Sequence, residues 1–299
     1  MVVSRQQAEQ RLRRAVQRAS RSRIGRLARH PWKVVYPQLL LKIGVCHARP
    51  TKTFWGGRFD IVLPEAVSTQ IWRYGFFEDD VCLFLLRSLR PGMVVIDVGA
   101  HFGFFSLLAS ELVGSEGRIV AVEPMPETFG RLARNVAING AHHNITAINS
   151  AAYSTSTRLC FHDYGLVYSA FDSAFGARSA SGLRLRGQVF VDATTCDDLV
   201  AAFALPRVDV IKIDAESSEM HVLRGAEGTI DRFHPRIIVE VGDFDLAGVA
   251  SSSELVRSLL ALGYRAYERS HYDLSLHEPR ATYAYGNLLF LHNEAPGAF

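Results

Sequence analysis

The run MVVIDV (Met93–Val98) passes directly into D-V-G-A-H-F-G and then into the periodic apolar stretch FFSLLASELV (Phe104–Val113). An uninterrupted apolar run of this length reads as a buried strand, and the longer stretch after it as a helix, with the glycines marking the turn between them. Downstream, RIVAVE (Arg118–Glu123), NITAIN (Asn144–Asn149), VDVIKID (Val208–Asp214), PRIIVEV (Pro235–Val241), YRAYE (Tyr264–Glu268) and GNLLFLH (Gly286–His292) repeat the strand signal. Helical segments are expected from Pro126 to Asn139, stopped by Gly140; from an N-cap at Thr195 to Ala204; from Ser218 to Phe233; and from Ser252 to Leu262. Only the stretch Thr155–Ala193 is irregular, with β-like pieces at Arg158–His162 and Gln188–Val191. Repeated β-α-β units predict an α/β, Rossmann-like fold: a mostly parallel sheet with helices on both faces. Ligands of such sheets bind beyond the carboxyl ends of the strands, so functional residues are expected just after Val98, Val122, Ile213 and Val239.

The turn after the first of these strands carries Asp97, Gly99, Ala100, His101 and Gly103. A dinucleotide site usually shows G-x-G-x-x-G, which lets a helix N-terminus hold a pyrophosphate. Here the spacing is G-x-x-x-G, and a carboxylate stands immediately before it. That acid would repel a phosphate and attract a cation. Glu123 ends the next strand, where an acid accepts hydrogen bonds from ribose hydroxyls; the alternative is a surface acid that caps the following helix. Lys212 lies within an otherwise apolar strand, where a charge needs a partner. Alternation places it on the same side as Asp214, and Glu216 or Glu240 is its expected partner. Asp214 is the first candidate for a general base, followed by Glu216 and Glu240.

These residues resemble the FkbM family of methyltransferases over roughly Arg73 to Leu291. RYGFFE (Arg73–Glu78) is similar to the family's G-x-[FY]-E motif, and VIDVGAHFGFFS to its D-V-G-A-N-x-G-x-x-S loop. VDVIKIDAESSEMHVLRGA (Val208–Ala226) is similar to D-x-x-K-I-D-x-E-G-x-E-x-x-x-L-x-G-A, and HPRIIVEV to the P-x-x-x-x-E strand after it. Two positions depart: His101 replaces Asn, adding a chargeable ring, and Ser217 replaces Gly, so a different turn after Asp214 is expected. The resemblance implies a class I methyltransferase fold with a seven-stranded, mostly parallel sheet. It implies S-adenosyl-L-methionine as cofactor, with Glu78 among the cofactor residues. It also implies O-methylation of a hydroxyl on a sugar, a polysaccharide or a secondary metabolite. The competing readings are a nicotinamide-dependent oxidoreductase on a similar sheet and a non-catalytic binding module.

The implied organisation is a basic leader (residues 1–35), an extension packing on the core (36–90) and the cofactor-binding domain (91–294). The leader holds ten Lys/Arg against Glu9 alone, and its apolar positions Leu12, Val16, Ala19, Ile24 and Leu27 form a thin helical stripe. Such a helix can lie on an anionic membrane or dock on a protein; the basic run Arg11–Arg29 lacks the aromatic residues that stack nucleic-acid bases. No apolar run reaches the ~20 residues of a membrane span. A cytoplasmic protein, peripheral to the membrane at most, is expected. Cys46, Cys82, Cys160 and Cys196 are scattered without a CxxC pair, so no metal site is expected. The loop around His271–Arg280 and the stretch Thr155–Ala193 are expected to shape the acceptor pocket.

Overall fold

Ser4 caps α1 (Arg5–Ala19): its hydroxyl accepts from the Gln7 N–H while the Gln7 side chain accepts from the Ser4 N–H. The computed structural model describes residues 4–20, 31–175, 184–243, 246, 248–271 and 273–294. After α1 come α2 (Pro31–Ile43), the antiparallel pair β1 (His47–Lys52) and β2 (Arg58–Leu63), and two helices, α3 (Ala66–Tyr74) and α4 (Asp79–Ser88). The leader helix is not free. Ala8, Leu12 and Ala15 are buried, with α1 packed on α3 and α4, so its apolar stripe is used within the molecule. Ile24 and Leu27 lie outside the described residues.

The core then follows the expected alternation: β3 (Val94–Val98), α5 (Phe104–Val113), β4 (Arg118–Val122), α6 (Pro126–Ile138) and β5 (Ile145–Ile148). The irregular stretch becomes β6 (Ala151–Ala152), β7 (Thr157–Asp163) and β8 (Gly187–Thr194), a separate sheet in the order β6-β8-β7. Thr195 caps α7 (Cys196–Ala202), accepting from the Asp198 N–H. After β9 (Val210–Ile213), the single helix expected over Ser218–Phe233 is two, α8 (Glu219–Arg224) and α9 (Glu227–Phe233). The break falls at Gly225, where a Cβ would collide with the Tyr153 carbonyl oxygen. The chain ends with β10 (Arg236–Val241), α10 (Ser252–Ala261), β11 (Tyr264–Ser270), β12 (Asp273–Leu276) and β13 (Gly286–His292).

The main sheet runs β12-β11-β13-β10-β9-β3-β4-β5. Strands β5, β4, β3, β9 and β10 are parallel neighbours; β13 is antiparallel to both β10 and β11. The seven expected strands are all there, and β12 adds an eighth by hairpin to β11. Apolar residues fill both faces, with Phe84, Phe102 and Leu108 on one side and Cys196, Val222 and Val256 on the other. The connections diverge between β3 and β9, and the carboxyl ends of those two strands open the crevice that holds the site.

Candidate active site

A cavity of about 430 Å³ lies over the carboxyl ends of β3, β4, β9 and β10. Its first end is built by the glycine turn and Glu123. Gly99 sits at φ +69°, and a Cβ there would run into the carbonyl oxygen of Asp214. The glycine is thus demanded by the close pass of two loops, before any ligand is considered. His101 is also left-handed, at φ +50°, a conformation that Asn and His tolerate better than most residues. Its backbone N–H donates to Glu123 Oε2 at 2.9 Å, and the Met125 N–H donates to Oε1 at 3.0 Å. Each carboxylate oxygen keeps a lone pair for a further donor. Burial pushes the Glu123 carboxyl up to about 8, against the pull of the two N–H donors. The His101 ring lies against Phe102 and within 2.8 Å of Ser169 Oγ. Burial lowers its pKa to about 4, so the charge that His adds in place of Asn is suppressed at neutral pH.

The second end gathers acids round one lysine. Register pairs Asp97 with Lys212 across β3 and β9. Lys212 Nζ lies 3.6 Å from Asp97 Oδ1 and 3.2 Å from Asp214 Oδ2, and donates to the Gly99 carbonyl at 3.1 Å. Its expected pairing with Glu216 or Glu240 is therefore corrected. Lys212 serves its own strand neighbour and the facing strand, because the side chain points across β3 and not along the loop. Burial alone would lower the Lys212 pKa, but Asp214, Asp97 and Glu78 outweigh it and raise the pKa. Glu78, at the start of α4 with φ +40°, projects into this end. It accepts a hydrogen bond from the Tyr285 hydroxyl through Oε1, while Oε2 is buried with no hydrogen-bond partner. Burial, then the nearby Asp214 charge, pushes Glu78 up to about 8.

The other expected residues fall as follows. Ala100, Glu216 and Glu240 line the cavity with Gly99, His101, Glu123, Lys212 and Asp214; Asp97 and Gly103 do not. Asp97 is 2% exposed and takes Ser106 Oγ at 2.5 Å on one oxygen; the other has no hydrogen bond and faces Lys212. Its role is to hold the lysine beneath the floor. Glu216 and Ser217 are both left-handed, at φ +47° and +79°. The turn after Asp214 thus has a glycine-type conformation although Ser stands at position 217. Glu219 fixes this turn, accepting from the Ala215 and Ser217 N–H groups. Tyr285 lines the cavity, whereas the described residues of the His271–Arg280 loop do not; Leu159, Phe161, Ser169 and Asp172 of the irregular stretch do. Phe59, Ala66, Val67 and Phe77 add an apolar wall from the N-terminal extension, which the sequence reading left unassigned. Glu240 also borders a second cavity of about 240 Å³, shared with His221, Arg224 and Ser252. One three-ligand cluster, His234, His292 and Glu294, occurs among the described residues. It stands where β10 begins and β13 ends, at the edge of the sheet opposite the cavity.

The donor set fits a cationic ligand. Three carboxylates share one ammonium at the second end, and a buried carboxylate oxygen of Glu78 is still unpartnered.

The sequence profile of the methyltransferase FkbM domain matches residues 97–266. The chain is 26% identical over 174 residues to the hexuronic acid methyltransferase AglP of Haloferax volcanii, covering 58% of this chain and 66% of that protein. It is 29% identical over 185 residues to the 31-O-demethyl-FK506 methyltransferase FkbM of Streptomyces tacrolimicus, covering 53% of this chain and 68% of that one. Among solved structures, methyltransferase FkbM from Methylobacillus flagellatus aligns with a TM-score of 0.42 at 16% identity, over 77% of this chain and 56% of that chain. This chain therefore spans about two thirds of the length of these curated relatives.

Proposed function

This chain belongs to the FkbM methyltransferase family, and from that premise we propose that it transfers a methyl group from S-adenosyl-L-methionine to a hydroxyl of a sugar, polysaccharide or secondary metabolite. The observation that carries the reading is the acid-rich end of the cavity beside a phosphate-averse glycine turn. The cofactor supplies an electrophilic methyl on a sulfonium, next to an ammonium and a ribose. Glu123 would take the ribose hydroxyls on its free lone pairs, and the backbone of Ala100 and His101 would lie along the same edge. Glu78 and Asp214 would face the positive end, with Tyr285 holding Glu78 in place. Lys212 holds Asp214 and Asp97 in place, so the site needs little rearrangement when a cation enters.

Methyl transfer is an in-line displacement, and alignment can supply roughly 7–11 kcal/mol of it. The apolar walls of Phe77, Phe105, Leu159 and Phe161 exclude water. Glu240 lines both cavities, which suits an acceptor hydroxyl approaching the cofactor from the smaller one. Asp214 and Glu240 are the residues positioned to receive its proton, and a base adds about 10²–10⁴-fold. The extension, residues 36–90, acts as a cap on the cofactor cavity. The two relatives named above are a hexuronic acid methyltransferase and a 31-O-demethyl-FK506 methyltransferase, which favours a glycan or small-molecule hydroxyl here also.

The test is incubation with methyl-labelled S-adenosylmethionine and a panel of uronic acids, neutral sugars and polyketide alcohols. Label transferred by the wild type and lost in Asp214→Ala supports the reading. Label absent from every acceptor, with NAD and not S-adenosylmethionine raising the melting temperature, would replace it with the oxidoreductase.

A further inference from the structure

Of the eleven large apolar side chains exposed among the described residues, six fall between Trp32 and Val45. Trp32, Val35, Leu39 and Ile43 are spaced three, four and four residues apart along α2, so they form one stripe down the helix. They are 48%, 56%, 50% and 59% exposed. The adjoining side of α2 is firmly seated. Pro37 and Leu40 are buried, Tyr36 meets Trp72 edge-on, and Lys33 Nζ donates to the Trp72 carbonyl at 2.7 Å. Trp32 stands at the border, one edge against Trp72 and about half its surface exposed. Arg73 donates in turn to the Lys33 carbonyl. A rigidly held helix thus presents an apolar stripe that nothing described covers.

Charge says what would cover it. Residues 10–59 contain thirteen Lys/Arg and no Asp or Glu, which leaves a net charge of −10 on the rest of the chain. Arg18 and Lys42 are exposed. Arg49 and Lys33 both stand over the Trp72 ring that seats α2, at 5.1 and 5.6 Å. A second copy of the chain meeting this face about a two-fold axis would set cations against cations. An anionic bilayer offers the complement to both features: an apolar layer for the stripe and negative headgroups for its flanks.

We propose that α2 is a membrane-docking helix, whose Trp32/Val35/Leu39/Ile43 stripe inserts at the surface of an anionic bilayer while the surrounding lysines and arginines contact its headgroups. This moves the contact surface from α1, whose apolar side is buried, to the end of the leader and the helix that continues from it. Helix α3 links the surface to chemistry. Trp72 anchors α2, and Ala66 and Val67, at the other end of the same helix, line the larger cavity. Six residues of helix separate them, about 9 Å. A docked protein would hold its cavity close to the lipid surface. The proposal does not rest on the methyl-transfer reading.

The test is co-sedimentation of the full chain with vesicles of phosphatidylcholine and phosphatidylglycerol at three to one, and of phosphatidylcholine alone, at 0.1 M salt. The wild type is expected to pellet with the anionic vesicles at least tenfold better than with the neutral ones, and to be released at 0.5 M salt. Trp55 and Trp72 are already buried, so a blue shift in tryptophan emission on vesicle addition reports Trp32, and Trp32→Phe should abolish it. Val35→Asp/Leu39→Asp alters only exposed positions; it should melt like the wild type yet lose the vesicle binding. Equal pelleting of this variant and the wild type would overturn the proposal. So would absence of wild-type binding, and so would a wild-type dimer that the variant splits without any vesicle effect, which would assign the face to a second copy.

Discussion

The two ends of the cavity recognise by different physics. At the glycine-turn end the groups are backbone and one carboxylate, Glu123, already anchored by two N–H donors. Shape and hydrogen-bond direction decide what fits there. At the β9–β10 end, Glu78, Asp97 and Asp214 share Lys212, and charge decides. A ligand with a ribose at one end and positive charge at the other satisfies both; a pyrophosphate satisfies neither. The ends should therefore fail differently when broken.

Lys212→Met is the most damaging change. It strands Asp97, 2% exposed, without its counter-charge, and breaking a buried pair costs about 3–5 kcal/mol. Urea denaturation should show that loss; a variant as stable as the wild type would mean that the acids do not depend on the lysine. Asp214→Ala keeps Asp97 on Lys212, so the fold should survive while turnover drops by about 10²–10⁴-fold. Steady-state kinetics at saturating cofactor would reveal a near-normal kcat if Asp214 has no part in the chemistry. Glu123→Ala acts on the other end. It should weaken cofactor binding by about tenfold, one to two hydrogen bonds' worth, with kcat little changed at saturation; calorimetry reads the difference.

Glu78 supplies a pH signature. Its carboxyl is pushed up to about 8. It is neutral below that pH and negative above, and only the negative form attracts a cation. S-adenosylmethionine affinity should thus climb as pH rises through about 8 and then level off. Glu78→Gln should lose most of this rise and keep only the part owed to Glu123, which titrates in the same range; a flat wild-type profile would remove Glu78 from the binding site. The smallest effect expected is Ser217→Gly. Ser217 holds φ +79°, a region that costs a non-glycine residue roughly 1–2 kcal/mol. The variant should be more stable by about 1 kcal/mol in a thermal melt.

The contrast also explains what the sequence made legible. The glycine-turn end is contiguous or nearly so, since Asp97 to Gly103 and the acid closing the next strand are set by the strand–turn–helix order. The acid cluster was legible as residues but not as pairs. Lys212 finds Asp97 because β3 and β9 align in parallel register, and no local pattern encodes which strands become neighbours. Tyr285 carries no motif at all; it reaches Glu78 from a loop 207 residues away. The cavity wall that the N-terminal extension supplies was hidden for the same reason, its residues being ordinary apolar side chains until the fold turns them toward the cavity.

A calorimetric titration of the wild type at pH 8.5 with S-adenosylmethionine, and separately with NAD, tests the charge of the β9–β10 end most directly. Saturable binding of S-adenosylmethionine with no heat from NAD is the expected result. Binding of NAD in preference, its pyrophosphate seated against Glu78 and Asp214, would contradict it.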